Sequence, residues 1–277
     1  MIRVIIAGIA MGIANVIPGV SGGSMLVIFR IYDQLMDILA NFFRFSKEKQ
    51  VESATFCILL AFGLIVGIVG FANIILFFLS HMYNATMWWF IGLVLFSFPA
   101  IKYNEMNGQP IKLSYFLIGF IIMLFFLLFS DTNTTLITTT PNLTIGLIIN
   151  LLIMGMIAGS TMIIPGISGS LVLLIFGYYG YFNYYAAHAL TFNINILIPL
   201  FIIFIGVLVS VLFTSKLISK LLQKNRINTM SLILGLILGS LTILIPFSGY
   251  STIIVIQSLV AYILGAIIMI FINKNVK

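Results

Sequence analysis

The sequence predicts an all-α polytopic membrane protein built as an inverted-topology internal repeat, each half a re-entrant helical hairpin plus three transmembrane helices. Three observations predict it. Of 277 residues, 62% are hydrophobic and only 7% charged, too little charge to wet the surface of a soluble domain. A phrase rich in Pro, Gly and Ser occurs twice, as "NVIPGVSGGS" at 15–24 and "MIIPGISGS" at 162–170. Finally, Lys and Arg occupy only some of the links between apolar runs, and their distribution fixes how the chain crosses.

In chain order, the apolar stretch 2–17 comes first. Its opening, "MIRVIIAGIAMG", is like a signal peptide in charge and hydropathy, but no small-residue cleavage site with a polar mature start follows, so it reads as structure. It is short of the roughly 20 residues that a spanning helix needs. After the Pro-Gly-Ser-Gly break a second helical stretch covers 24–43, and spans at 54–80, 84–101 and 113–130 complete a first repeat, 1–131. The second repeat, 145–273, has an apolar stretch 145–164, the second break, a helical stretch 170–189, and spans at 195–214, 230–247 and 251–272. No span contains Asp, Glu, Lys or Arg. Residues 1–277 read as a single transmembrane domain.

The repeat shows directly when 8–32 is set on 155–179 without a gap. Eleven of 25 pairs are identical, including Gly8/Gly155, Gly12/Gly159, Pro18/Pro165, Gly19/Gly166, Ser21/Ser168, Gly22/Gly169, Phe29/Phe176 and Tyr32/Tyr179. Coincidence is cheap among Ile and Leu but not for Pro-Gly-x-Ser-Gly, so the pattern reads as an internal repeat.

Charge decides whether each broken element crosses or turns back. Arg3, the Arg44–Lys49 group, Lys102 and Lys112, the Lys216–Arg226 group, and Lys274 and Lys277 are basic, while links 81–84, 131–144, 189–194 and 248–250 carry no Lys or Arg. Hairpins that enter and leave on one side put every basic link on one face of the membrane. A single crossing scatters them over both, against the positive-inside rule. Three crossings per half then invert the second half, and both termini are cytoplasmic.

Pro and Gly break a helix and permit tight turns, and irregular backbone at membrane depth is tolerated only inside protein or beside a wet cavity. The helices beginning near Ser24 and Ser170 present unpaired N–H groups and the positive end of their dipoles. Gly-Ser-Gly turns let N–H groups converge on an anion. Gly19, Ser21, Gly22, Gly23 and Ser24, with Gly166, Ser168, Gly169 and Ser170, are the candidate cradle; the alternative is that these residues only shape turns and cap helices. Arg30 is the candidate charge partner, about 9 Å along its helix from Ser24 and within the apolar slab, where a charge is costly and usually functional. An internal pair with Asp33 or Asp37, about 14 and 20 Å from the tip, is the alternative. In the second hairpin the place of Arg30 is taken by Gly177.

Other classes are disfavoured. The net charge of +7 is spread over short links rather than one soluble face, so a nucleic-acid partner is not expected. One cysteine, Cys57, six acidic residues and two distant histidines offer no metal cluster, cofactor site or nucleophile arrangement, so no enzyme is expected. No nucleotide-binding motif is present, so ATP does not drive it directly.

"GIANVIPGVSGGSMLVIFRIYDQLMDIL" and "PGISGSLVLLIFGYY" resemble the bacterial polyprenyl-phosphate transporter family, the PopT-like proteins formerly grouped as a domain of unknown function, and the likeness covers essentially the whole chain. The resemblance implies a protein of the bacterial cytoplasmic membrane that returns undecaprenyl phosphate, the C55 carrier of cell-wall polymer synthesis, from the outer to the cytoplasmic leaflet. The phosphate would sit between the hairpin tips on Arg30, with the tail in lipid. Asp33 or Asp37 would carry a coupling proton, with sodium the other candidate ion. A small-anion channel or exchanger of chloride-channel-like design is the rival reading.

Overall fold

The computed structural model describes residues 1–16, 21–128, 143–169, 172–173, 176, 178, 181, 184–185, 193–246 and 251–275. Every regular element among them is helical: α1 (Ile2–Val16), α2 (Gly22–Ile28), α3 (Tyr32–Asn41), a 3-10 turn at Phe42–Arg44, α4 (Lys47–His81), α5 (Tyr83–Glu105), α6 (Leu113–Leu128), α7 (Ile145–Ile163), α8 (Ile194–Leu244) and α9 (Thr252–Asn275). Five of these, α4, α5, α7, α8 and α9, are long and apolar enough to cross a membrane, and α1 and α6 are apolar but shorter. Phe62, Val69, Phe125, Phe201, Phe213 and Phe271 stand exposed on the outward faces. Apolar surface on this scale suits lipid rather than water, and the chain is a multi-pass membrane protein.

The helices meet through glycines. α1 lies on α4 with Gly8 and Gly12 against Gly63 and Gly67, and a Cβ at Gly8 would stand 2.4 Å from Leu60 O. α7 lies on α8 the same way, Gly155 against Gly206 and Gly159 against Ser210. Further along, α5 packs on α9 through Gly92 and Gly265, and α6 packs on the second arm of α8 through Gly119 and Gly235. Backbone contact this close replaces the hydrophobic drive that is lost between helices in lipid.

Two elements differ from the sequence-based expectation. The spans expected at 195–214 and 230–247 are not separated by a loop: α8 runs through both, and one residue, Asn225, leaves helical geometry with φ −154° and ψ 76°. The intervening "SKLISKLLQK" has neither Gly nor Pro and is rich in helix formers, so the helix continues through its lysines. A straight run of 51 residues would reach about 77 Å, well beyond the roughly 30 Å hydrocarbon core, so the axis turns at this joint. Met82, at φ −139° and ψ 47°, joins α4 to α5 in the same manner. Thr86 Oγ1 donates to Met82 O at 2.8 Å, and Thr229 Oγ1 donates to Asn225 O at 3.0 Å.

The second difference follows the first helix break. The helix expected over 24–43 is two helices, α2 and α3, joined through Phe29–Ile31. The chain doubles back between α1 and α2: the Asn15 carboxamide lies against Gly22, and at the other end Arg3 Nε donates to Phe29 O at 2.7 Å. All seven residues of α2 are buried, and Leu26, Tyr32 and Met36 are among the most deeply buried large side chains. α2 therefore sits at the centre, clasped by α1, α3, α5 and α7.

Candidate functional site

The two Pro-Gly-Ser-Gly regions meet in this centre. Gly166 N–H donates to Ser24 Oγ at 2.9 Å, and the Tyr32 hydroxyl donates to Ile163 O at 3.1 Å. Gly23 lies close enough to the second motif that a Cβ would stand 3.3 Å from Met162 O and 3.4 Å from Pro165 Cα. Gly166 itself has φ +86°, and its missing side chain leaves room for the backbone of Leu236 and Ile237 on the second arm of α8. A side chain there would be strained in conformation and would overlap that arm.

The expected cradle residues are thus placed as follows. Ser21, Gly22, Gly23, Ser24, Ser168 and Gly169 are in or beside the central junction; the two motif serines and Ser24 are buried. Ser24 already spends its oxygen on Gly166. Ser21 stands at the start of α2 with no side-chain capping bond, and its buried Oγ has no hydrogen-bond partner. A buried hydroxyl without a partner is costly and calls for a reason. Gly19 and Ser170 lie outside the described residues.

Arg30 is not on the continuous helix that the sequence suggested. Ile31 N–H donates to Leu26 O and Arg30 N–H to Val27 O, each at 3.0 Å; this pair of bonds ends a helix through one left-handed residue. That residue is Arg30, with φ 57°. The chain after the second motif repeats the bond, Tyr178 N–H donating to Leu173 O at 2.8 Å, and Gly177, which stands between, lies outside the described residues. Glycine is the residue that takes a left-handed turn without cost, so an arginine here sets backbone strain against its side chain. Among the described residues its guanidinium makes no hydrogen bond or ion pair.

Sequence reasoning named Asp33 but missed its partner Arg226 and the neighbouring Glu105. Arg226, the first residue beyond the α8 joint, forms ion pairs with both Asp33 and Glu105, and its Nε donates to Glu105 O at 2.7 Å. Burial holds the Glu105 carboxyl above the usual range, with Asp33 beside it adding to the effect and Arg226 and Arg30 opposing it. Three guanidiniums, from Arg3, Arg30 and Arg226, therefore share one end of the molecule with two carboxylates. Both carboxylates are engaged by Arg226, which leaves Arg30 as the unsatisfied cation. Asp37 lies apart, accepting from Asn41 Nδ2 at 2.8 Å and 3.9 Å from Lys49 Nζ. The sequence did carry a signal for Glu105: it is one of only six acidic residues and follows an apolar helix at its very end.

A polytopic helical membrane protein with two helix breaks meeting at its centre, and at the far end of the buried α2 an arginine with no ion pair among the described residues, is the class these features define. The sequence signature of the undecaprenyl phosphate translocase-like family matches residues 11–260, and the chain belongs to that family. A polyprenyl-phosphate transporter of Staphylococcus aureus is 30% identical over 272 residues, 98% of this chain and 95% of its own length. One of Vibrio cholerae is 30% identical over 87% of this chain and 76% of its own. No solved structure matches.

Proposed function

We propose that this chain carries undecaprenyl phosphate from the outer to the cytoplasmic leaflet of a bacterial cytoplasmic membrane, for reuse in cell-wall polymer synthesis. The phosphate is held at the junction of two re-entrant hairpins, and the tail stays in lipid. The observation that carries the reading is Arg30: a strained, partly buried cation with no carboxylate of its own, at the end of the buried helix whose other end meets the second motif. Phosphate suits a guanidinium in geometry and charge, and the charged head group is what makes unaided crossing slow. The names of the relatives point to the same substrate class.

Alternating access is the mechanism this fold favours. The proposed halves, 1–131 and 145–273, are related by inversion, and the matched features support it: the joints at Met82 and Asn225, the threonines that follow them, and the glycine pairs of α1 on α4 and α7 on α8. α5 and α6 of one half each pack on the counterpart of the other, on α9 and on the second arm of α8, as two elements exchanged about a two-fold axis do. Rocking of such halves exposes a central site to each face in turn. The distribution of the basic groups supports a cytoplasmic position for both termini. Of the two carboxylates, Asp33 is the better placed for proton coupling, because it shares an end with Arg226 and Glu105 while Asp37 lies against Lys49.

Liposomes holding the protein and a fluorescent short-chain polyprenyl phosphate test this, with chloride efflux followed in parallel. Transfer of the head group between leaflets is expected from the parent protein and is lost in a folded Arg30→Ala variant. Chloride flux without lipid transfer overturns the proposal in favour of an anion exchanger.

A further inference from the structure

Arg226, Asp33 and Glu105 join parts of the chain that are far apart in sequence. Asp33 opens α3, three residues after Arg30; Glu105 closes α5; Arg226 starts the second arm of α8, directly after the non-helical Asn225. Two of these elements belong to the first half and one to the second. The cluster is thus a tie between the halves, set at a joint where one non-helical residue lets a helix change direction.

The tie is made to be broken rather than to be permanent. Arg226 meets the two carboxylates through separate guanidinium nitrogens, Nη1 on Asp33 and Nη2 on Glu105; Asp33 Oδ1 is buried without a partner among the described residues, and the Arg226 and Asp33 side chains keep 37% and 38% of their surface exposed, against 12% for Glu105. The partly hydrated Arg226–Asp33 arm costs little to open, and the more buried Glu105 is the arm that holds longer. The tie also lies beside Arg30: Glu105 feels the charge of Arg30 as well as that of Arg226.

We infer that Arg226, with Asp33 and Glu105, is an ion-pair latch that closes one end of the route to the central junction and opens when the halves move. The latch rests on the transport reading above for its purpose, but not for its test. With the latch shut, the hinge at Asn225 is held, and the segment that carries Arg30 is held with it. Opening frees α3 and the second arm of α8 to part, which exposes Ser21 and Ser24 to the side of the membrane that bears Arg226.

The test is labelling of a cysteine placed at buried Ser21, in a chain whose native Cys57 is replaced by alanine. A membrane-impermeant maleimide is applied from the side that bears Arg226, to protein in liposomes without lipid substrate. Labelling is expected to be slow with the latch intact and faster by about tenfold or more with Arg226→Ala, within the span usual for conformational coupling. The double variant Asp33→Asn, Glu105→Gln keeps the arginine and is expected to give the same acceleration, which covers the case in which Arg226→Ala misfolds. Labelling as slow as in the parent in a folded latch variant overturns the inference. If the variants label fast but the parent protein moves no polyprenyl phosphate, the latch stands and the substrate reading falls.

Discussion

At the scale of single residues, Arg30 separates backbone cost from side-chain purpose. It holds φ 57°, a region that disfavours any side chain by about 1–2 kcal/mol. Replacing it by glycine and by alanine removes the same charge, but only glycine removes the strain. Arg30→Gly is expected to be about 1 kcal/mol more stable than Arg30→Ala in thermal or denaturant unfolding in detergent, while both lose lipid transfer alike. Equal stability of the two variants speaks against the strained turn. Ser24 carries a second prediction. Its oxygen is the acceptor for buried Gly166 N–H, so Ser24→Ala leaves that donor bare and is expected to cost about 1–3 kcal/mol. A loss well below that range argues against a special role for that bond. The strained turn was half legible in sequence. Gly177 opposite Arg30 marks a position that wants glycine, but without coordinates the arginine reads as one more residue of a helix.

At the scale of elements, the glycine contacts make a graded series. A Cβ at Gly63 or Gly206 would stand 2.3 Å from a carbonyl oxygen of the partner helix, Ile5 O or Leu152 O, whereas at Gly70 nothing lies within 4 Å. Forcing packed helices apart costs about 1–3 kcal/mol. Gly63→Ala and Gly206→Ala are therefore expected to lower the unfolding midpoint, and Gly70→Ala to leave it unchanged or raise it, because alanine is the better helix former. A Gly70→Ala loss as large as the other two removes the packing argument. The helix breaks were readable because Pro-Gly-x-Ser-Gly occurs twice, at a constant spacing from its flanking glycines. The later elements keep a different spacing: "TM" at 86–87 answers "TM" at 229–230, and "GL" at 92–93 answers "GL" at 235–236, so a gapless comparison slides past them. The joint at Asn225 left no trace in composition at all. One non-helical residue between two helix-forming segments needs neither Gly nor Pro, and the lysines before it look like a loop only because most charged stretches between spans are loops.

At the scale of the whole molecule, three of the basic links, at Arg3, Lys112 and Arg226, meet at one end. Arg3, Arg30, Asp33, Glu105 and Arg226 are drawn to one end by hydrogen bonds, ion pairs and shared fields, and Lys112 N–H donates to Ser231 Oγ at 3.0 Å on the α8 arm that Arg226 begins. Counting charges does not say which of them pair, so Asp33 was weighed as a partner of Arg30 rather than of Arg226, and Glu105 went unread. Glu105 gives the whole fold a dependence on pH. Its carboxyl is held above the ordinary range, chiefly by burial and then by Asp33, against the pull of Arg226 and Arg30. The folded protein therefore binds this proton more tightly than the unfolded chain does. Stability from this group is complete below the ordinary carboxylate pKa and is lost as pH rises through the raised one. Glu105→Gln keeps an acceptor for Arg226 and cannot ionise, so it marks the contribution. The unfolding midpoint of the parent protein is expected to fall relative to Glu105→Gln as pH is raised through that window, and the gap is then constant at higher pH. A gap that instead widens towards acid means that Arg226 outweighs burial at Glu105; the ionised pair is then what holds this end of the molecule together, and the latch should tighten, not loosen, as the carboxylate loses its proton.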